Sequence, residues 1–283
     1  MQLTNIPHVD QLIDQALDED LGQGDVTTEA LIPDAQQGKA SITAKAKGIV
    51  AGTEVARQVF LKVDPELKVN ILTNDGTEVR PGDVIAKIKG KCASILKAER
   101  VALNFLQHLS GIASETARYV EAVKGLPVQI TDTRKTMPGL RPLEKRAVQV
   151  GGGKNHRMHL GDGILIKDNH LSTLRHQGLT LKEIIARARQ KASAELKVEV
   201  EVKTPQEASE AAEAGADIIM LDNMDLQNMR QAVRLIKGRA LVEASGGITL
   251  DKVRAVAETG VDLISVGALT HSSKALDISL ELE

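Results

Sequence analysis

The strongest constraint on the fold lies in the second half of the chain, where six short apolar runs alternate with segments of helical periodicity. Two of the intervening helices open with a capping-box pattern, Thr180 to Glu183 and Thr204 to Glu207. Because strands that alternate with helices form βαβ units, this half is predicted to contain a parallel sheet. The predicted strands cover residues 128–133, 163–168, 197–203, 217–223, 240–245 and 262–267.

One of these runs, KVEVEVK, distinguishes between an open sheet and a barrel. Its alternation places valines on one face and Glu199, Glu201 and Lys203 on the other. A strand of a doubly wound sheet is covered by helices on both faces and is apolar on both. A barrel strand can turn valines to the outer helices and acids to a polar mouth. We therefore predict a barrel-like α/β domain with its site at the carboxyl ends of the strands.

The first half follows a different pattern. QLIDQALDEDLG has the periodicity of an amphipathic helix, GKASITAKAKGIVAG alternates like a strand, and KVNILTNDGTEVRPGDVIAKIKG places short strands between turn residues. We predict an α+β domain with an antiparallel sheet over residues 1–112 and the barrel-like domain over 113–270. The tail, 271–283, is expected to pack back on the first domain.

Composition narrows the class of protein. The chain has 42% hydrophobic and 26% charged residues, a net charge of −2, and only Phe60, Phe105 and Tyr119 as aromatic residues. Modules that stack nucleic-acid bases need aromatic platforms and a basic face, so nucleic acid is not an expected partner. No run approaches the roughly 18 apolar residues of a membrane span, and the first residues lack the pattern of a signal peptide, so we expect a cytoplasmic protein without membrane contact. The single cysteine, Cys92, excludes an internal disulfide and is assigned no chemistry.

Two of the predicted strand ends are rich in glycine. ASGGI and SVGAL place Ser245, Gly246 and Gly247, and then Gly267 and Ala268, where a parallel strand hands over to a loop and helix. Backbone N–H groups and a helix N-terminus can face an anion there. A phosphate site is expected, although a tight turn would explain each glycine pair on its own.

Two other strand ends carry acids. Glu201 and Asp222 follow one another on neighbouring predicted strands. Two carboxylates without a histidine suit Mg²⁺, which takes one or two acids plus phosphate oxygens of the substrate. They could also hold ribose hydroxyls, or pair with Lys135 and Lys167 in a structural network.

A third group of strand-end residues is cationic: Arg134, Lys135, His156, Arg157 and Lys167. Burying several like charges without partners costs several kcal/mol each, so we expect a small, strongly anionic ligand among them. A lone lysine at a barrel strand end could instead form a Schiff base, as in aldolases, but this does not explain the arginines and the histidine.

A further set of cations lies in the helical pattern after Pro138 and Gly139. These residues are interpreted as a solvated helix surface: Arg141, Lys145 and Arg146.

The motifs DTRKTMPGLR, GGGKNHR, LIKDNH, EVEVKT, MLDN, EASGGI and SVGALTH, in this order, resemble the quinolinate phosphoribosyltransferase family. LDEDLGQGDVTTEALIP near the N-terminus is similar to the opening of that family as well. The resemblance implies a type II phosphoribosyltransferase with an N-terminal α+β domain and an open, incomplete α/β barrel. The implied reaction joins quinolinate to phosphoribosyl pyrophosphate with Mg²⁺ and yields nicotinate mononucleotide, pyrophosphate and CO₂, a step of NAD biosynthesis.

The resemblance also assigns roles to residues. The carboxylates of quinolinate would meet Thr133, Arg134, His156, Arg157 and Lys167, with Arg100 supplied by the partner subunit of a homodimer. Lys135, Glu201 and Asp222 would serve the ribose pyrophosphate and the metal, and together with Lys167 they are the candidate catalytic residues. The residues expected at the 5′-phosphate are Ser245, Gly246, Gly247, Val266, Gly267, Ala268 and His271.

Four alternatives to this function remain open at this point. One is a paralogous phosphoribosyltransferase of the molybdate-locus type with a different substrate. Another is a nicotinate phosphoribosyltransferase, although a monocarboxylate needs fewer cations. The others are a Schiff-base aldolase using Lys167, which borohydride would trap, and a phosphosugar-binding protein without activity.

Overall fold

The computed structural model describes residues 7–193 and 195–283, and it divides into two compact units. The first unit consists of the chain up to Ala117 with residues 136–152 and 269–283, and the second consists of residues 118–135 and 153–268. Residues 1–6, which contribute to the expectation that there is no signal peptide, lie outside the described residues. No helix within the described residues is long and apolar enough to cross a membrane.

The elements up to the long helix are α1 (Pro7–Leu21), α2 (Val26–Leu31), β1 (Gln37–Ala44), β2 (Gly48–Ile49), α3 (Thr53–Val63), β3 (Lys68–Ile71), β4 (Glu78–Val79), β5 (Val84–Lys91) and α4 (Cys92–Ala122). They are followed by β6 (Gln129–Thr131), α5 (Arg141–Val150), a 3-10 turn (Leu160–Asp162), β7 (Ile164–Ile166), α6 (Asp168–Arg175), α7 (Leu181–Lys191), β8 (Val198–Val202), α8 (Pro205–Glu213), β9 (Ile218–Asp222), α9 (Leu226–Ile236), β10 (Leu241–Ser245), α10 (Val253–Ala257), β11 (Leu263–Ser265), α11 (Ala268–His271) and β12 (Ile278–Leu282).

The first unit contains the predicted antiparallel sheet, with strand order β12-β1-β5-β3. The strand of the C-terminal tail, β12, forms one edge and pairs antiparallel with β1 from Ala40↔Leu282 to Ala44↔Ile278. Alternate residues of β1 are buried, among them Ile42 at 1% exposure, as expected of a strand with one face on a core.

The second unit contains six parallel strands in the order β6-β11-β10-β9-β8-β7. Each lies inside one of the six predicted runs, and β6 and β7, which are consecutive in the chain, stand at opposite edges of the sheet. The prediction of an open, incomplete α/β barrel is confirmed. The ladders are shorter than the predicted runs because the residues at the carboxyl ends leave the ladder to build loops.

Strand β8 shows the two faces that its sequence predicts. Val198, Val200 and Val202 are at most 1% exposed, on the face that is covered by apolar packing. Glu199 and Glu201 alternate with them and turn to the other face. The sheet is therefore apolar on its outer side and partly acidic on its inner side.

Of the two predicted capping boxes, the one at α7 is confirmed and the one at α8 is formed only in part. At α7 the capping box is complete, since Thr180 Oγ1 accepts the N–H of Glu183 and the Glu183 carboxylate accepts the N–H of Thr180. At α8, Thr204 Oγ1 accepts the N–H of Glu207 as predicted, but the Glu207 carboxylate accepts the N–H of Lys203 instead.

The interpretation of α5 as a solvated surface is wrong for Lys145. The helix begins at Arg141 as predicted, and Arg146 is exposed, but Lys145 is completely buried. Glu144 beside it is buried too, where its carboxylate meets His108 Nε2 at 2.9 Å and the N–H of Met137 at 3.2 Å. A larger part of the circumference of this helix is buried than its pattern of charged residues predicts.

Candidate active site

A cavity of about 480 Å³ opens at the carboxyl ends of the parallel strands. Every residue that lines it belongs to the second unit. The structure brings together eleven residues that the sequence singles out: Thr133, Arg134, Lys135, His156, Arg157, Lys167, Glu201, Asp222, Ser245, Gly246 and Gly247.

The register of the ladders explains why these residues meet. Ser245 on β10 pairs with Asp222 on β9 and with Ser265 on β11, and Ser265 pairs with Thr131 on β6. The hydroxyls of Thr131 and Ser265 are 2.6 Å apart. These paired residues lie at the carboxyl ends of their strands, so the residues that follow each strand surround one opening.

The GGGKNHR segment is tied directly to the end of β6. The N–H of Lys154 donates to the carbonyl of Ile130 (2.8 Å), and the N–H of Asp132 donates to the carbonyl of Lys154 (3.1 Å). The buried carboxylate of Asp132 accepts the N–H of His156 at 2.8 Å. These hydrogen bonds hold the KNHR part of the second motif against the DTRK motif, and this places His156 and Arg157 on the cavity wall.

The cationic wall is formed by two arginines flanked by two lysines. Arg157 Nη1 donates to the carbonyl of Gly163 at 3.0 Å. Burial, and then the charge of the nearby Arg134, lowers the pKa of Arg157. Lys135 and Lys167 are exposed at the cavity edge. Two guanidinium groups close enough to repel each other create a strong site for an anion with two carboxylates.

Beneath this wall lies a cluster of His156, Glu199 and Glu243. His156 Nε2 is 3.2 Å from a carboxylate oxygen of Glu199 and 3.4 Å from one of Glu243. Burial lowers the pKa of His156, and the two carboxylates raise it by more, to about 10. Burial, and then the charge of Glu243, raises the pKa of Glu199. The N–H of Arg157 donates to His156 Nδ1 at 2.8 Å, and this contact opposes a second proton on the ring.

The other wall carries the two acids of the mouth. A carboxylate oxygen of Glu201 accepts the N–H of Asp168 at 3.2 Å, and Asp222 Oδ1 accepts the side-chain amide of Asn223 at 2.9 Å. Hard carboxylate oxygens suit Mg²⁺, and two of them leave most of its coordination to substrate and water. The donor set therefore fits the ion as a partner shared with a phosphorylated substrate.

The loop after β10 approaches its neighbour very closely. Gly246 and Gly247 have φ of 96° and 60°, and a Cβ on Gly246 would lie 2.3 Å from the Asn223 side chain. The chain then needs five more residues before α10 begins at Val253, so no helix N-terminus directly follows this glycine pair. The predicted order of strand, loop and helix is present, and the N–H groups nearest to the glycine pair are those of the loop.

Several predicted site residues are not among those that line this cavity. Val266, Gly267 and Ala268 follow β11, but Ser265 is the residue of that strand end on the cavity surface. Arg100 is an exposed residue of α4, and His271 is exposed with Nδ1 2.6 Å from the Ser272 hydroxyl; both belong to the first unit. The roles assigned to these residues stay predictions.

The cavity also contains residues that sequence reasoning did not select: Leu165, Met220, Asn223, Glu243 and Ser265. Strand alternation could have found Glu243 and Ser265. Glu243 lies two residues before Ser245 and therefore on the same face of β10, and Ser265 pairs directly with Ser245.

Comparisons with known proteins extend over both units. Residues 25–110 match the family model "Quinolinate phosphoribosyl transferase, N-terminal domain", and residues 112–281 match the corresponding C-terminal domain model. The chain is 45% identical to "Quinolinate phosphoribosyltransferase [decarboxylating] 2, mitochondrial" of Nicotiana glauca, over 96% of this chain and 82% of that protein. It is 43% identical to "Probable nicotinate-nucleotide pyrophosphorylase [carboxylating]" of Bacillus subtilis, over 93% and 90%.

Solved structures agree with this result. The crystal structure of NadC from Streptococcus pyogenes superposes with a TM-score of 0.93 at 45% identity, covering 97% of this chain and 96% of that one. The nicotinate-nucleotide pyrophosphorylase of Francisella tularensis superposes with a TM-score of 0.91 at 36% identity, covering 100% and 99%.

Proposed function

Because the chain belongs to the quinolinate phosphoribosyltransferase family, we propose that this cavity joins quinolinate to phosphoribosyl pyrophosphate and yields nicotinate mononucleotide, pyrophosphate and CO₂. The observation that carries the proposal is the division of one cavity into a wall of cations and a wall of acids. The cations suit a planar dianion, and the acids suit the positive charge that develops on a ribose ring.

The cationic wall is assigned to quinolinate. Arg134 and Arg157 take the two carboxylates, and Lys167 adds a third charge from the end of β7. Guanidinium groups bind carboxylates through paired hydrogen bonds, which also set the orientation of the ring. Such pairing replaces aromatic stacking in a chain with three aromatic residues in total.

The acidic wall is assigned to the phosphoribosyl group. The ring nitrogen of quinolinate attacks the anomeric carbon while the bond to pyrophosphate breaks, and the ribose acquires oxocarbenium character by analogy with other glycosyl transfers. The carboxylates of Glu201 and Asp222 stabilise that charge, and Lys135 stabilises the departing pyrophosphate. Ser245, Gly246 and Gly247 offer hydroxyl and N–H donors for the 5′-phosphate.

We also propose a role for Mg²⁺. Glu201 and Asp222 would hold the ion together with oxygens of the phosphorylated substrate, and when bound it would neutralise charge on the pyrophosphate.

Loss of CO₂ follows glycosyl transfer in this scheme. Once ribosylated, the pyridine nitrogen is positive and stabilises the electron pair that the breaking carbon–carboxylate bond leaves on the adjacent ring carbon, and a proton from water then takes the place of the departed CO₂. The protein then needs only to orient the carboxylate. Quinolinate incubated with the protein and Mg²⁺ should release no CO₂ until phosphoribosyl pyrophosphate is added, and steady release from the first mixture would contradict the order.

The direct test supplies quinolinate, phosphoribosyl pyrophosphate and Mg²⁺ and measures nicotinate mononucleotide by chromatography. Arg134→Ala should lower product formation by at least a hundredfold, because a guanidinium paired with a carboxylate is worth roughly 3 kcal/mol. Arg230→Ala, at an exposed position of α9, is the matched control and should be unchanged. Absence of product from the unmodified protein would refute the function.

We further propose that the active form is a cytoplasmic homodimer in which Arg100 of the partner subunit completes the quinolinate site. An Arg100→Ala protein and a Lys167→Ala protein, each inactive, should regain activity when mixed, since some mixed dimers carry one intact site. No recovery from mixtures shown to exchange subunits would contradict a shared site.

A further inference from the structure

The first turn of α6 lies where the cationic wall and the acidic wall meet. Lys167 is the residue that precedes this helix, and it follows directly on β7 with an extended backbone, φ −94° and ψ 167°. Glu201 is on the neighbouring strand β8, one residue after Val200, which pairs with Ile166 of β7. A cation assigned to quinolinate and an acid assigned to the ribose are therefore both next to one helix start.

The backbone of Lys167 is fixed by two hydrogen bonds to the helix that it precedes. Its N–H donates to Nδ1 of His170 at 2.9 Å, and its carbonyl accepts the N–H of Leu171 at 3.0 Å. The first bond is one half of a capping box, in which the side chain three residues after the cap residue accepts the N–H of the cap residue. The imidazole of His170 therefore holds the backbone from which the side chain of Lys167 starts.

The same turn holds the carboxylate of Glu201. Its oxygen Oε2 accepts the N–H of Asp168, the first residue of α6, at 3.2 Å. The first N–H groups of a helix have no partner inside the helix, and the helix dipole attracts a carboxylate there. The side chain of Asp168 in turn lies 3.5 Å from Nζ of Lys203, just beyond β8. The position of the Glu201 carboxylate therefore depends on how the first turn of α6 is held.

His170 itself is not among the residues that line the cavity at the carboxyl ends of the strands. It lines a separate cavity of about 450 Å³ between β7, α6 and α7, where Ile166, Leu174 and Ile184 are among its neighbours. Because the ring lies outside the cavity that holds both walls, its route to the reaction is through the backbone of Lys167.

We propose that His170 is a positioning residue that fixes the first turn of α6 and so places both Lys167 and Glu201 for the reaction. The inference rests on the proposed function, which assigns Lys167 to quinolinate and Glu201 to the ribose. A lysine side chain is a flexible four-carbon stem, so a fixed backbone limits the positions that its ammonium group can take. Less freedom is then lost when the substrate binds, and this favours binding.

Two substitutions of similar shape separate this role from others. In His170→Asn, the side-chain oxygen takes the place of Nδ1 and can accept the N–H of Lys167, whereas His170→Leu has the same branching and no acceptor. On the scale of one lost helix cap, we expect His170→Leu to raise the KM for quinolinate and to lower kcat by about fivefold each. In His170→Asn, where the cap is kept, each value should stay within about twofold of the wild type.

General helix stability predicts the reverse order, because Leu is a better helix former than Asn. The matched control is His176→Leu just after α6, where the ring contacts the carbonyl of Ser172, and it should leave both parameters unchanged. Equal losses in His170→Asn and His170→Leu would overturn the proposal, since the ring would then act in another way. Wild-type values of both parameters in His170→Leu, or a change in only one of them, would overturn it as well.

Amide hydrogen exchange tests the contact without relying on activity. In ¹⁵N-labelled protein, the N–H groups of Lys167 and Asp168 should exchange about fivefold faster in His170→Leu than in the wild type and in His170→Asn. Equal exchange rates in all three proteins would refute the role of the ring. If the wild type forms no nicotinate mononucleotide, the proposed function fails, and the exchange rates still decide whether His170 fixes this turn.

Discussion

Strand β8 carries two glutamates on the same face, and the structure gives them different environments. Glu199 is 4% exposed and contacts His156 beneath the cationic wall. Glu201, two residues closer to the carboxyl end, is half-buried on the cavity surface and accepts one backbone N–H. Two positions along one strand thus separate an acid with an internal partner from an acid that faces the cavity.

The difference shows that the burial of a glutamate decides whether its carboxylate is bound by the protein or remains available to a substrate. A carboxylate removed from water must find a proton or a partner inside the protein, because an isolated buried charge is very costly. A carboxylate at a cavity mouth stays hydrated until a ligand arrives, so its charge is available to a substrate. Substitution of a buried acid is therefore expected to lower stability and disturb the geometry. Substitution of an acid at the cavity surface is expected to lower the reaction rate.

The largest expected effect is at the cavity surface. Glu201→Gln keeps the shape of the side chain and removes its charge, and we expect kcat to fall about 100-fold, equivalent to about 3 kcal/mol of lost transition-state stabilisation. The KM for quinolinate should change less than about threefold, because the acidic wall does not hold that substrate. Steady-state kinetics measures both values.

Glu199→Gln is the matched control on the same strand. Its main effect should be lower stability. A loss of kcat in Glu199→Gln as large as in Glu201→Gln, with stability unchanged, would remove the distinction between the buried acid and the acid at the cavity surface.

The second effect is on stability and concerns Glu243, the fully buried acid beside His156. In Glu243→Gln, a neutral amide replaces a charged carboxylate that is fully buried 3.4 Å from His156 Nε2. We expect the free energy of unfolding to fall by about 2 kcal/mol, the scale of a hydrogen bond to a charged group inside the protein. Urea denaturation followed by circular dichroism measures it.

Glu258→Gln, at an exposed helix end, serves as the comparison for Glu243→Gln and should change stability by no more than about 0.5 kcal/mol. Equal stability of the two variants would show that Glu243 is not held as its burial indicates.

A third, smaller effect is the coupling between the stability losses of two substituted glutamates. Because Glu199 and Glu243 share the ring of His156, the loss in the double Gln variant should differ from the sum of the single losses by about 1 kcal/mol. Glu201 accepts the N–H of Asp168 and forms no ion pair with His156 within the described residues, so the losses at Glu201 and Glu243 should add within about 0.5 kcal/mol. A double-mutant cycle for each pair is the measurement, and coupling of equal size in both would argue for one continuous network.

The smallest effect concerns a third glutamate, just beyond β8. Burial raises the pKa of Glu207, and the N–H of Lys203 and the charge of Arg175 lower it by more, so that it lies below 4.5 in the folded protein. Its contribution to stability is therefore present above pH 4.5 and is lost as the pH falls through the folded pKa.

At pH 7 the free energy of unfolding should accordingly be larger for the wild type than for Glu207→Gln by about 0.5 kcal/mol, the scale of a partly exposed ion pair, and the melting temperature should be higher. The difference should disappear near pH 3. A gap that persists or grows in acid would contradict this sign.

Much of the molecule was predictable from local patterns. Six strands, the antiparallel sheet of the first half and the capping residues Thr180 and Thr204 were located because their signals lie within a few residues of one another. The residues of DTRK and the later strand ends converge because parallel strands all end at the same side of a sheet, whereas GGGKNHR reaches that side through backbone hydrogen bonds to β6. That rule needs no knowledge of the packing.

Other features were decided only by tertiary structure. Lys145 has the sequence context of a surface lysine and is buried because its helix is enclosed on more than one side. The pairing of His156 with Glu199 and Glu243 joins three segments far apart in the chain, so no local pattern could show it. The sequence by itself determined which residues can carry charge to the strand ends. The three-dimensional packing decided which of those charges are enclosed by partners and which are left facing the cavity, because burial depends on neighbours that are distant in sequence.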